Sequence, residues 1–135
     1  MKTMLAQGSE LLIVRAWHDA LNTGDLDRLG ALMDENVEFG GPRGTGQGAA
    51  QVRDWAKRSG IRLEAYQWFA SDGLIVVAQR AHWRDSDTGE LGPAQDIASS
   101  FHVHDGLIQK VVRYDNLRNA LDAAGIEDSA DGEVR

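Results

Sequence analysis

Apolar residues recur at helical spacing through Leu12, Ile13, Ala16, Trp17, Ala20 and Leu21, which predicts a helix over 10–22 with Ser9 as its cap and Gly24 as a left-handed exit. Asp25 is placed to cap a second helix carrying Leu26, Leu29, Leu32 and Met33 on one stripe, ended by the turn-forming Asp34, Glu35 and Asn36. Val37–Phe39 then reads as a short strand. The stretch 40–48 holds five glycines and Pro42 and reads as a loop. A third helix over 48–59 sets Val52, Trp55 and Ala56 on one side, leaves Arg53, Asp54, Lys57 and Arg58 to solvent, and stops at Gly60.

From Ile61 the period changes to two, broken at 71–73, at 85–93 and at Asp105-Gly106, which predicts a four-stranded antiparallel meander. Asn116 is placed to cap a last helix, 117–124, closed by Gly125. The stretch 127–135 has four acids, one base and almost nothing apolar, and is expected to be a disordered tail on a single domain, 1–126. Helices first and a meander afterwards make the fold class α+β.

Alternation also assigns faces. On the second meander strand Ile75, Val77, Gln79, Ala81 and Trp83 are the more apolar set and should face the core; on the third the inner set is Ile97, Ser99, Phe101 and Val103. The last strand is ambiguous. A two-residue Asp105-Gly106 turn aligns Ile108, Lys110, Val112 and Tyr114 with Phe101, whereas a bulge at Gly106 puts Val111, Arg113 and Asp115 there.

Composition narrows the function classes. A chain of 135 residues, 42% of them hydrophobic, supports one core, and its net charge of −7 opposes nucleic-acid and anionic-membrane partners. The absence of cysteine removes disulfides, thiolate nucleophiles and thiolate metal sites. The longest apolar run, Leu74–Ala78, is too short to span a bilayer, and Met1–Ala6 breaks at Gln7 before a signal-peptide core develops, so a cytoplasmic protein is expected.

Val14-Arg15-Ala16-Trp17 leading to Asn22-Thr23-Gly24-Asp25-Leu26, then Asn36-Val37-Glu38-Phe39, and above all 101–108 (FHVHDGLI) followed by Arg113-Tyr114-Asp115, resemble the SnoaL-like branch of the nuclear transport factor 2-like fold. Ketosteroid isomerase and limonene epoxide hydrolase are relatives in that superfamily. The resemblance implies a cone-shaped fold in which a strongly curved, mainly antiparallel sheet wraps three N-terminal helices around an apolar pocket, with pairing as homodimers. It also implies where catalytic groups would stand. Trp17 occupies the place of the isomerases' substrate-binding tyrosine, Phe39 that of their carboxylate base and Ser99 that of their second acid. Arg113 replaces an aspartate of the cyclases and epoxide hydrolases, and a guanidinium does not exchange protons near neutral pH. None of the relatives' mechanisms therefore transfers intact, and whether the chain is an enzyme stays open.

The residues themselves point to a binding site for a small apolar or aromatic molecule with a polar or anionic group. Arg113 is its centre, with Gln79 and Ser99 nearby and Trp17, Phe39, Trp55, Trp68, Trp83 and Phe101 as an aromatic lining. Were it an enzyme of isomerase, cyclase or hydrolase type, Arg113 would stabilise an oxyanion while Asp115, Asp96 or His18 moved the proton. The other readings are an Arg113 that pairs with Asp115 or Asp96 at the rim, and a dimeric interaction module with a filled cone and no ligand. Gly44-Thr45-Gly46-Gln47-Gly48-Ala49, with Glu64 twenty residues on, matches a dinucleotide-binding pattern but lacks its βαβ setting. His102 and His104, with His82 on the neighbouring strand, have ligand-like spacing yet fall on the outward parity. No cofactor and no metal are expected.

Overall fold

The computed structural model describes residues 2–41, 44–71, 73–83, 87–126 and 133–134, with side chains described within 9–126. In chain order the elements are α1 (Lys2–Thr23), α2 (Leu26–Ala31), β1 (Met33–Gly41), β2 (Gly44–Gln47), α3 (Ala49–Ser59), β3 (Arg62–Ser71), β4 (Leu74–His82), β5 (Gln95–His104), β6 (Leu107–Tyr114), α4 (Leu117–Ala124) and β7 (Glu133–Val134). One curved sheet in the order β2-β1-β6-β5-β4-β3-β7 holds all seven strands. Every pairing is antiparallel except β1 with β6, because the chain leaves the helices and enters the sheet beside its last long strand, running in the same direction.

The apolar stripe of α1 does what its spacing predicts. Val14, Trp17, Ala20 and Leu21 are buried against the inner sheet face, where Ile75, Val77, Ala81, Ile97, Phe101 and Val103 meet them, with Leu29 of α2 and Val52 and Ala56 of α3 closing the cluster. Burying each of the larger side chains stabilises the fold by about 1.5–3 kcal/mol. Asn22 joins helix to sheet at two points, its amide donating to the Leu63 carbonyl at 2.8 Å and its oxygen accepting from the Leu63 N–H at 2.9 Å. On the outer face Phe69, Val76 and Ala98 lie beneath Ala120 and Leu121 of α4 and the following Ile126. With both faces covered, β4 is buried continuously from Ile75 to Gln79, the physical reason for its unbroken apolar run.

Several local expectations change. Helix α1 starts at Lys2 rather than near Glu10, because Lys2, Met4, Leu5, Ala6 and Gln7 are good helix formers and offset the cost of about 1 kcal/mol for one internal glycine, Gly8. Helix α2 ends at Ala31, and Met33 opens β1 instead of closing the helix. The glycine stretch is a hairpin: Phe39 pairs with Gly46 and Gly40 with Thr45, since backbone ladders need no side chains. A Cβ at Gly46 would collide with the far edge of the Phe39 ring, so a larger residue there displaces the ring or the hairpin. The last helix has the predicted bounds, with Asn116 accepting from Asn119 N–H at its start and Gly125 at φ 76° at its end. In the expected tail, 127–132 and 135 lie outside the described residues, while Glu133 and Val134 pair with Phe69 and Trp68.

Both readings of the β5–β6 connection contribute. Asp105 and Gly106, at φ 53° and 79°, form the two-residue turn, so His104 faces Leu107 and Val103 faces Ile108. The register then slips between Ile108 and Lys110, and Gln109, not Gly106, is the extra residue. Past this bulge Val111 stands opposite Phe101 and Arg113 opposite Ser99, on the inner face.

Candidate functional site

Where the helices diverge from the sheet, a cavity of ≈ 1000 Å³ opens to solvent. Its apolar walls are Trp17 of α1, Phe39 of β1, Trp55 of α3, Trp83 beyond β4, and Ile97 and Val111 of the sheet. Phe39 is held on that wall by the β1–β2 hairpin, and Trp55 follows from helical spacing in α3, one turn past Gln51 and next to the buried Ala56. Arg113 enters from β6 through the Gln109 bulge. Its guanidinium carbon lies 5.9 Å from the Trp83 ring centre, within cation–π range, and its Cβ is 3.5 Å from the point where a Cβ on Gly41 would stand.

Electrostatics single out Arg113. The other charged groups on the wall, Asp54 and Arg58, pair with each other at 3.0 Å near the rim, whereas Arg113 has no ion pair among the described residues. The pairings with Asp96 or Asp115 considered above are not formed. Asp96 is on the outer face with Arg80, 3.6 Å away, and Asp115 is exposed past the end of β6. An unpaired guanidinium in an aromatic recess favours an anionic occupant, since lone charges out of water are costly.

Beneath the cavity floor runs a chain of hydrogen bonds. Ser99 Oγ, on the wall, donates to Gln79 Oε1 at 2.8 Å; Gln79 Nε2 lies 2.8 Å from His18 Nε2; and His18 Nδ1 lies 2.8 Å from the Val14 carbonyl. Burial holds the His18 pKa down to about 4, opposed in part by the Val14 carbonyl bond and by Asp19, so the ring is neutral at pH 7. It also contacts Trp17, Trp68 and Phe101 at ring-centre distances of 5.2–5.5 Å. The Trp17 indole N–H is buried without an acceptor.

Of the residues expected at the site, Trp17, Phe39, Trp55, Trp83, Ser99 and Arg113 line the cavity. The others do not. Gln79 and Phe101 are fully buried behind the wall, His18 lies beneath it, and Trp68 faces inward but packs on His18, with Arg15 over its other side at 5.3 Å. Asp96, Asp115 and His18 therefore do not line the cavity beside Arg113. Gln51, Asp54, Arg58, Thr45 and Gln95 line the cavity unforeseen. Gln95 has the parity of Ile97 and Ser99, and Gln51, Trp55 and Arg58 share one helical stripe, so both signals were present in the sequence. The glycine pattern at 44–49 forms part of the cavity wall on an antiparallel strand, away from any βαβ unit. Leu74 lies opposite His102, whereas His82 lies opposite Arg62, which separates the two histidines along β4.

Comparison with known proteins agrees with this architecture. The profile of the SnoaL-like domain matches residues 14–111. A putative polyketide cyclase from Xanthomonas campestris pv. campestris superposes with a TM-score of 0.69 at 22% identity, covering 87% of this chain and 97% of that one. An NTF2-like protein of unknown function from Cytophaga hutchinsonii gives 0.68 at 17%, covering 81% and 91%. TerC, co-crystallised with polyporic acid, gives 0.68 at 16%, covering 89% and 99%. No curated protein matches in sequence.

Proposed function

The chain belongs to the SnoaL-like domain family, and from that premise we propose that its cavity binds a small, flat, largely apolar or aromatic molecule through an anionic oxygen held by Arg113. The observation that carries this reading is the Arg113 guanidinium beside Trp83, without an ion pair among the described residues, on a wall that also holds Trp17, Phe39 and Trp55. A cavity of ≈ 1000 Å³ supports a ligand-holding role over a filled interaction module. Polyporic acid, found with the structurally similar TerC, belongs by name to the same acidic class.

Binding is favoured over catalysis by the isomerase, cyclase or hydrolase routes. Among the described residues the one carboxylate on the wall, Asp54, is paired with Arg58, and the buried His18 reaches the cavity only through Gln79 and Ser99. Arg113 stabilises an anion but accepts no proton. No described helix is long and apolar enough to cross a membrane. Pairing of two copies through the outer sheet face has only part of that face to use, since α4 covers Phe69, Val76 and Ala98.

The test is calorimetric titration with 2-naphthoate and with the uncharged 2-methylnaphthalene. Arg113→Ala should weaken naphthoate binding about tenfold or more, the worth of a charge-assisted hydrogen bond, and leave the hydrocarbon unchanged. Equal naphthoate affinity in both proteins, or no binding by the wild type, overturns the reading.

A further inference from the structure

We infer that Ser99 faces the cavity purely as a hydrogen-bond acceptor, so that the ligand carries a hydroxyl or N–H donor beside the anionic oxygen bound by Arg113. The inference rests on the proposed anion site and adds to it the second polar group of the ligand.

The direction of each bond in the buried chain is set from one end. The Val14 carbonyl can only accept, so His18 Nδ1 carries the proton. A neutral ring then has a bare Nε2, and the group 2.8 Å from it must be a donor, which orients Gln79 with its NH2 toward His18. The amide oxygen is thereby turned to Ser99, which spends its only proton on it at 2.8 Å. What Ser99 has left for the cavity is lone pairs. The opposite arrangement needs an imidazolium, and burial disfavours that charge: the ring is 5% exposed and its pKa lies at about 4.

Ser99 and Arg113 are direct cross-strand partners on β5 and β6, and both line the cavity. Side chains so paired start about 5 Å apart, so one ligand can engage both. Arg113 presents donors only and Ser99 acceptors only. A molecule that satisfies the pair carries an acidic oxygen and, on the neighbouring meta position of its ring, a hydroxyl or amine. An ether or a bare hydrogen at that position leaves the serine lone pairs unmet, and an ether oxygen faces them.

Two measurements test this. The first needs no ligand: the 15N shifts of His18 in the folded protein at pH 7 should show Nδ1 protonated and Nε2 bare, and the reverse tautomer overturns the proposal. The second compares 4-hydroxy-2-naphthoate, 4-methoxy-2-naphthoate and 2-naphthoate by calorimetry. The hydroxy compound should bind about tenfold tighter than either of the others, the worth of one net hydrogen bond. In Ser99→Ala the preference for the hydroxy compound over the other two should vanish, and Ser99→Thr, which keeps the hydroxyl, should retain it. A preference absent from the wild type, or surviving in Ser99→Ala, overturns the role of Ser99 while leaving the anion site standing if Arg113→Ala still weakens all three. Failure of every naphthoate to bind overturns both.

Discussion

Gln79 and His18 meet 2.8 Å apart inside the protein, the glutamine fully buried on β4 and the histidine on α1, sixty-one residues away in the chain. The contact ties the long helix to the centre of the sheet directly beneath the cavity. The burial of His18 makes stability depend on pH. The folded pKa of His18 is lowered from 6.5 to about 4, so between these values the unfolded chain binds a proton that the folded one does not. The stabilisation is complete above about pH 6.5 and is lost as pH falls toward 4, a change of about 3 kcal/mol at about 1.4 kcal/mol per pH unit. Urea denaturation at pH 7.0, 5.5 and 4.5 reads the slope, and proton NMR reads the site. A His18 resonance titrating near 6.5 would contradict the burial argument.

Asn22 fastens α1 to β3 through both backbone groups of Leu63. Asn22→Ala removes both bonds and leaves a part-buried N–H and C=O to find other partners. The expected loss is about 1–3 kcal/mol in chemical denaturation, with an unchanged m-value. A loss below about 0.3 kcal/mol would show that water replaces the clamp without cost.

Gly46 touches the Phe39 ring so closely that no side chain fits between them. Gly46→Ala forces the ring to shift or the hairpin to part, and about 1–3 kcal/mol of destabilisation is expected. Because Phe39 is a cavity wall, affinity for 2-naphthoate should fall as well. The double variant Gly46→Ala, Phe39→Ala should recover part of the stability lost in Gly46→Ala relative to Phe39→Ala alone, and strict additivity of the two effects would refute the clash.

Arg113→Lys keeps the charge and discards the planar fork. On the anion-site reading the lysine variant should bind 2-naphthoate between wild type and Arg113→Ala, and its affinity should fall more steeply with added salt, as a point charge is screened more readily than a bidentate pair. Wild-type affinity in Arg113→Lys would mean that charge alone, without geometry, holds the ligand.

Much of this molecule was readable from local pattern. The bounds of α4 came from Asn116 and Gly125, the meander from alternation, and the inner face of β4 from the contrast between the set Ile75, Val77, Gln79 and Ala81 and the alternate set that holds Arg80 and His82. Caps, turns and alternation depend on residues a few positions apart, so a linear reading contains them. Six of the residues expected in the pocket line it, Ser99 among them by alternation, and Gln95, of the same parity, could have joined them.

What alternation cannot say is how far along an inner face the cavity extends, nor where a strand changes phase. Gln79 and Phe101 share the parity of the wall residues yet lie below the floor, because α1 packs over that part of the sheet. Arg113 faces inward only because β6 gains a residue at Gln109, and the glycine stretch became strands only by pairing with β1 and, through β1, with β6. These are long-range pairings in which a one-residue slip exchanges every inward side chain for an outward one. The sequence by itself therefore determined most of the elements, the inner faces of β4 and β5, and the presence of an arginine near several aromatic residues. The tertiary structure alone decided which way that arginine points, and to which atom Ser99 gives its one proton.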